Sequence, residues 1–182
     1  MLIGRILYET ARRWPDRVAI IQDEKVQTYD EWNRRVNAVA RSLAERFGIG
    51  KGDRVGIIAF NSIEQLTAAF ALQKMGAVYV SINFRLSIDE LRYQIEDSEL
   101  KVLIFDTELT DTVLPCADIV TALITIGPER KLSAGVPFAE LEGVSDEEPA
   151  VAIEQNDPSL IMYTSGTTSV PRESYLAMRL NI

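Results

Sequence analysis

The chain has 182 residues, of which 47% are hydrophobic and 25% are charged, a composition typical of a folded globular protein of about one domain. Its 19 Lys and Arg residues against 27 Asp and Glu residues give a net charge of −8, which argues against general binding to nucleic acids or anionic membranes. The chain contains no histidine and a single cysteine, Cys116, so these 182 residues can hold no His-based metal site, no Ser-His-Asp triad and no internal disulfide.

The first elements predicted are a short amphipathic helix over residues 1–14 and a hairpin formed by residues 18–22 and 26–29. The N-terminal helix is interrupted by charges and carries no signal-peptide core. No run reaches the roughly 18 to 20 apolar residues that a membrane span requires. We therefore expect no membrane span and, from the sparse cysteine usage, a cytoplasmic localisation.

Apolar strands and capped helices then alternate along the chain. Continuous apolar runs predict strands over residues 55–60, 77–82 and 102–105. Capping-box spacing predicts helix starts at Thr28/Glu31, Ser62/Gln65 and Ser87/Glu90, and Gly48 and Gly76 are expected to end the first two helices. This order is typical of right-handed βαβ units, so the sequence predicts an α/β fold with a mostly parallel sheet.

The inner face of the helix after Ser62 is predicted to hold Ile63, Leu66 and Phe70. Beyond Asp106 the pattern weakens to a strand over residues 123–126, a long loop over 127–158 with a short helix near Phe138, and a last strand over 160–163. The acidic run at residues 146–148 is interpreted as a solvated surface rather than a metal site.

The last predicted strand leads into residues 163–172, which read YTSGTTSVPR. Hydroxyl groups around a glycine, followed by a cation, suit a phosphate-binding loop, because the backbone can approach closely while hydroxyl and N–H groups donate to phosphate oxygens. Composition alone favours a solvent-exposed Ser/Thr-rich loop, and that alternative stays open. The spacing does not match a Walker loop.

Residues 163–172 closely resemble the phosphate-binding signature of the AMP-forming adenylating superfamily, which includes acyl-CoA synthetases, luciferases and peptide-synthetase adenylation domains. Residues 28–32 (TYDEW) and 72–80 (LQKMGAVYV) resemble two further motifs of that superfamily in the right order, and residues 83–106 resemble an acyl-CoA synthetase. By this resemblance, the groups that would hold the ATP phosphates are Thr164, Ser165, Gly166, Thr167, Thr168 and Arg172.

The resemblance implies an enzyme that uses ATP, Mg²⁺ and coenzyme A to activate a carboxylic acid, expected to be a fatty acid, as acyl-AMP and then acyl-CoA.

Three residues depart from the family's signature. Ser169 and Glu173 stand where the family has glycine, and Arg172 stands where it has lysine. Glu173 adds a negative charge beside the proposed phosphates, and arginine is less compact than lysine. We therefore expect weakened nucleotide binding.

The resemblance also predicts that the chain is the N-terminal portion of such an enzyme and is inactive alone. It assigns an incomplete α/β region to residues 1–163, the phosphate-binding loop to 164–173 and an atypical tail to 174–182. No catalytic or metal-ligating residue is assigned, and no cofactor is certain for the chain itself. The alternative is a naturally short, non-catalytic nucleotide-binding or interaction module.

We expect self-association, or pairing with the remainder of the domain, because the last strand would otherwise lack neighbours.

Overall fold

The structure is a computed structural model that describes residues 3–128, 135–143 and 145–164, together with the backbone of residues 172–177. Within these ranges the α-helices are α1 (Ile3–Arg13), α2 (Tyr29–Phe47), α3 (Ile63–Met75), α4 (Ile88–Asp97) and α5 (Thr110–Val113). The strands are β1 (Val18–Gln22), β2 (Lys25–Thr28), β3 (Arg54–Ile58), β4 (Val78–Ser81), β5 (Val102–Asp106), β6 (Ala122–Ile126), β7 (Val136–Pro137), β8 (Pro158–Thr164) and β9 (Arg172–Ala177). Short 3₁₀-helices lie at Thr107–Leu109, Leu114–Ile119 and Phe138–Gly143.

The described strands form an antiparallel hairpin, β1–β2, and a main sheet with the order β7-β6-β5-β3-β4-β8-β9. From β7 to β8 the neighbouring strands are parallel, and β9 runs antiparallel to β8. Because β4 lies on one side of β3 and β5 on the other, the chain reverses its direction across the sheet at β3. The predicted α/β fold with a mostly parallel sheet is confirmed.

The helix ends follow the sequence signals closely. Complete capping boxes form at Thr28/Glu31 and at Ser87/Glu90, as predicted. At α3 the backbone N–H of Gln65 donates to Ser62 Oγ, but the Gln65 amide donates to the hydroxyl of Tyr79 at 3.4 Å, so only half of that box forms. Gly48 and Gly76 end α2 and α3 with φ values of 62° and 70°, in the left-handed region that favours glycine.

The sheet separates two apolar cores, and its central strands are buried on both faces. Ile57 and Ile104 point to the core covered by α1, α2, α3 and the 3₁₀-helix at Phe138–Gly143. Ile58, Leu103 and Phe105 point to the core covered by α4 and the segment that follows β5. This alternation explains why the strands are continuous apolar runs in the sequence.

The predicted inner face of α3 is confirmed for Ile63, is wrong for Leu66, and is partly right for Phe70, which packs against the core. Leu66 is 36% exposed, and Phe70 is half-buried beside α2, where its ring centroid lies 4.8 Å from that of Trp32. The buried positions of the helix are Ile63, Thr67, Ala68, Ala71, Leu72, Gln73, Lys74 and Met75. The small residues Ala68 and Ala71 belong to the core that α3 shares with α2.

Residues 145–157, which we call the strap, connect the last 3₁₀-helix to β8. They contain the acidic run at residues 146–148, for which the sequence predicted a solvated surface. That prediction is wrong for Glu148, whose carboxylate contacts the buried Lys74 ammonium. The prediction of a solvated surface agrees with Glu147, whose side chain is 76% exposed.

Sequence analysis did not predict β9, and it expected the last strand, β8, to lack neighbours from this chain. Instead β9 pairs with β8 from Pro158↔Ala177 to Thr164↔Arg172. The outer edge of β8 is therefore hydrogen-bonded within the chain.

Among the described helices, none is long and apolar enough to cross a membrane.

Candidate functional site

The candidate motif begins in β8, and its first two residues, Tyr163 and Thr164, lie at the carboxyl edge of the parallel sheet. Alternation along the strand buries Ile161 and half-buries Tyr163 against the core under α4, whereas Met162 and Thr164 are exposed. Ligands of open α/β sheets bind outside the carboxyl ends of the strands. Thr164 therefore ends β8 where such a ligand would be expected.

Tyr163 anchors this end of β8 to helix α4. Its hydroxyl donates to Asp97 Oδ2 at 2.9 Å, and its ring lies 6.5 Å from the ring of Tyr93 in an edge-on arrangement. The tyrosine that opens the motif thus fixes the strand that presents Thr164. Sequence analysis did not find this role, and the spacing of Tyr93 and Asp97 by one helical turn was the signal that could have indicated it.

Strand pairing brings the two ends of the predicted loop together. Thr164 and Arg172 are register partners in the antiparallel β8–β9 pair, so their Cα atoms are separated by about 4.5 to 5.5 Å. The predicted residues Ser165, Gly166, Thr167 and Thr168 lie outside the described residues, as does Ser169. The structure therefore shows only that the two described members of the predicted site, Thr164 and Arg172, lie side by side on neighbouring strands.

The neighbouring carboxyl-edge loops add an aromatic pair and a cation. Phe60 follows β3 and Phe84 follows β4, and their ring centroids lie 4.9 Å apart. Asn83 Oδ1 accepts a hydrogen bond from the backbone N–H of Arg85 at 3.0 Å, which shapes the turn after β4. Arg85 is exposed, and its guanidinium lies 5.4 Å from the centroid of the Phe84 ring. Sequence analysis missed Arg85, although it is the first cation after β4.

Away from β8, a cleft of about 590 Å³ opens at the carboxyl ends of β3, β5 and β6. Arg35 lies in its wall, with Nη2 at 2.9 Å from Glu64 and 2.6 Å from Glu142. Burial alone would raise the pKa of Glu64, but the hydrogen bond from Arg35 and its positive charge hold that pKa below its usual value. Because Arg35 already contacts two carboxylates, it is poorly suited to receive phosphate.

The described residues offer few other reactive groups. They contain no group of three or more His, Cys, Asp or Glu side chains that could hold a metal ion. Cys116 is buried, and burial raises the pKa of its thiol, so it is not an activated nucleophile. The chemistry available in the described part is therefore hydrogen bonding and charge neutralisation.

Comparison with known proteins connects the fold and the motif. A family model described as AMP-binding enzyme matches residues 7–173. A feruloyl-CoA synthase from an Amycolatopsis species is 35% identical over 166 residues, which are 91% of this chain and 31% of that protein. A 3-oxocholest-4-en-26-oate–CoA ligase from Rhodococcus rhodochrous is 32% identical and is matched over 87% of this chain and 30% of its own length.

Solved structures agree with these sequence matches. A fatty acyl CoA synthetase from Mycobacterium tuberculosis superposes with a TM-score of 0.81 at 30% identity, covering 97% of this chain and 34% of that chain. A putative long-chain-fatty-acid CoA ligase from Rhodopseudomonas palustris superposes with a TM-score of 0.86 at 25% identity, covering 97% of this chain and 44% of that chain. The chain thus spans about a third of the length of the curated relatives named above.

Proposed function

Because the chain belongs to the family of AMP-binding enzymes, we propose that it supplies the phosphate-binding N-terminal part of an ATP-dependent acid–CoA ligase. One observation carries this proposal: exposed Thr164 ends a parallel strand at the carboxyl edge of the sheet, with Arg172 as its partner on β9. Sequence relatives that are acid–CoA ligases support it.

In the proposed reaction a carboxylate oxygen attacks the α-phosphorus of ATP, which forms the acyl–AMP bond and releases pyrophosphate. The thiol of coenzyme A then attacks the acyl carbon, loses its proton to form the thioester and releases AMP. The acid is already ionised at neutral pH, so the first step needs alignment and charge neutralisation rather than a general base.

This chain's own residues would serve that step by holding phosphate oxygens. The Thr164 hydroxyl donates a hydrogen bond, Arg172 offsets negative charge, and the bond from Tyr163 to Asp97 keeps the end of β8 in place. We propose a carboxylic acid of the fatty-acid class as the substrate and the cytoplasm as the setting. The chain of 182 residues alone is proposed to be inactive, because it spans about a third of its relatives' length.

Calorimetric titration with Mg-ATP tests the phosphate site. Thr164→Val and Arg172→Ala should each weaken binding, because one removes a donor and the other a cation. Thr121→Val is the matched control, since Thr121 is exposed and precedes β6 at the opposite edge of the sheet. If binding persists unchanged in both site variants, the nucleotide binds elsewhere and the proposal is wrong.

Carboxylate-dependent ATP–pyrophosphate exchange tests the proposed inactivity of the isolated chain. With a panel of fatty, aromatic and short-chain acids, we expect exchange no faster than in a blank without protein. Exchange clearly above the blank with any acid would show that these residues suffice for adenylation.

A further inference from the structure

The strap, residues 145–157, is attached to the rest of the molecule without a buried residue of its own. Every residue from 145 to 158 is exposed or half-buried. Pro149 and Val151 each line two clefts, of about 350 and 440 Å³, so the packing around this segment is open. Apolar burial therefore contributes little to holding the strap in place.

A buried lysine provides its central attachment. The Lys74 side chain is 1% exposed, and its ammonium lies 2.6 and 2.7 Å from the two carboxylate oxygens of Glu148. The same ammonium donates to the side-chain oxygens of Asn33 and Asn37 at 2.6 and 2.7 Å. Burial lowers the pKa of Lys74, and the contact with Glu148 opposes that effect. Among the described hydrogen-bond partners of the buried Lys74 ammonium, Glu148 is thus the one that carries a negative charge.

Further polar contacts hold the strap on both sides of Glu148. Arg41 on α2 lies 2.9 Å from the Glu147 carboxylate and also donates to the Glu147 carbonyl at 3.1 Å. Lys51 lies 2.7 Å from the Asp157 carboxylate and donates to the Ala152 carbonyl at 3.0 Å. The strap is attached chiefly by charge and hydrogen bonds to α2, α3 and the turn before β3.

The same turn of α3 also holds the start of β8. Gln73, the residue before Lys74, donates from Nε2 to the Ser159 carbonyl at 2.9 Å. The Oε1 atom of Gln73 is buried and has no described partner, so this amide has no second anchor. Adjacent residues of one helix thus contact the strap and the first buried residue of the strand that ends at Thr164.

We propose that the Lys74–Glu148 pair is the latch of a locally opening strap, and that its release loosens β8 without unfolding the centre of the sheet. The unit that opens consists of the strap and the start of β8, because both depend on contacts with Gln73 and Lys74. Segments held by few apolar contacts open at lower free energy than a packed core does. The consequence for nucleotide binding rests on the proposed function, since it requires β8 to present a phosphate site.

Hydrogen–deuterium exchange of the whole chain tests the latch, with Glu148→Gln as the decisive variant. Glutamine keeps the shape of glutamate but removes the charge that balances Lys74. We expect backbone amides of the strap and of residues 159–161 to exchange about tenfold faster, with those of β3 and β5 unchanged. Glu154→Gln is the matched control, because Glu154 lies in the strap but forms no ion pair among the described residues. It should leave every rate unchanged.

Two results would overturn the latch. Unchanged exchange in the strap of Glu148→Gln would show that the pair does not hold it closed. A uniform rise that includes β3 and β5 would show global destabilisation instead, and thermal melting of the same variant provides an independent check of that result.

Titration with Mg-ATP separates the latch from the proposed function. We expect Glu148→Gln to bind Mg-ATP several-fold more weakly than the unmodified chain. Unmodified chain that binds no Mg-ATP would contradict the proposed function while leaving the exchange result valid. Faster strap exchange with unchanged Mg-ATP affinity would overturn the coupling between the strap and the site.

Discussion

The centre of the sheet and the strap show two different ways of holding chain in place. In β3 and β5 consecutive residues such as Leu103, Ile104 and Phe105 are fully buried against the two cores. In the strap no residue is buried, and attachment depends on Lys74, Arg41 and Lys51. The centre is held by apolar contacts that add over a large area. The strap is held by a few polar contacts.

This difference has a consequence for the candidate site. β8 lies between the two regions, because it pairs with β4 on one side and continues from the strap on the other. The end of β8 that carries Thr164 is anchored by Tyr163, while its beginning depends on contacts beside the strap. The scaffold should therefore resist unfolding while the strand that presents the site responds to changes in a few charged contacts.

The largest effect is expected from Phe105→Ala, which tests how strongly the centre is held. Phe105 is fully buried under α4, so its removal leaves a cavity and should lower the free energy of unfolding by about 3 to 5 kcal/mol. Phe84→Ala is the control, because Phe84 is 38% exposed and should cost about 1 kcal/mol or less. Equal losses in urea denaturation would contradict the contrast between core and edge.

A double-mutant cycle at the strap should give the next largest effect. Glu148→Leu leaves the Lys74 ammonium buried without its anion, and we expect a loss of about 2 to 3 kcal/mol, less than for a fully buried pair because Glu148 is 34% exposed. Lys74→Met completes the pair of single variants that the cycle requires. Lys74→Met combined with Glu148→Leu should lie within about 1 kcal/mol of the unmodified chain, since neither charge remains. Additive losses in the double variant would show that the two side chains do not act as a pair.

Sequence reasoning predicted the centre well because its signals are local. The apolar run of β3 identifies a strand buried on both faces, and Ser87 with Glu90 marks the start of α4 within four residues. It misjudged Leu66 on α3, because periodicity alone does not say that Leu66 is exposed while Ala68 and Ala71 are buried in the core. Which side of a helix is buried depends on neighbours that are distant in the sequence.

The strap and the site were predicted less completely for the same reason. Glu148 and Lys74 are 74 positions apart, so no local pattern indicates their pairing. The predicted site residues Thr164 and Arg172 are register partners in the structure, but the anchor of Tyr163 on Asp97 spans 66 positions. Residue types gave the expected chemistry, whereas the contacts that position it came from the tertiary fold.

A smaller effect is expected at the helix starts that flank the centre. Ser87→Ala removes an acceptor for the Glu90 N–H and a hydroxyl that donates to the Glu90 carboxylate at 2.8 Å, so it should cost about 1 kcal/mol. Ser62→Ala removes only the half-formed box and should cost about 0.5 kcal/mol. Urea denaturation of both variants measures the difference, and a larger loss at Ser62 would mean that the complete box adds nothing.

The smallest effect concerns the loss of stability at acid pH that comes from the two complete capping boxes. The backbone N–H of Ser87 donates to the Glu90 carboxylate at 2.8 Å and lowers the pKa of Glu90, and Thr28 lowers the pKa of Glu31 in the same way. A carboxyl whose pKa is lower in the folded chain stabilises it fully above the unfolded pKa, and this contribution is lost as pH falls through the folded pKa. Stability should therefore decline below about pH 4.3, the ordinary pKa of glutamate, with a shallower decline in Glu90→Gln and in Glu31→Gln. Urea denaturation between neutral pH and the acid limit, together with NMR titration of the two carboxyl groups, measures this effect. A decline of unchanged steepness in both variants would mean that the two helix-cap carboxylates do not set the acid sensitivity of the fold.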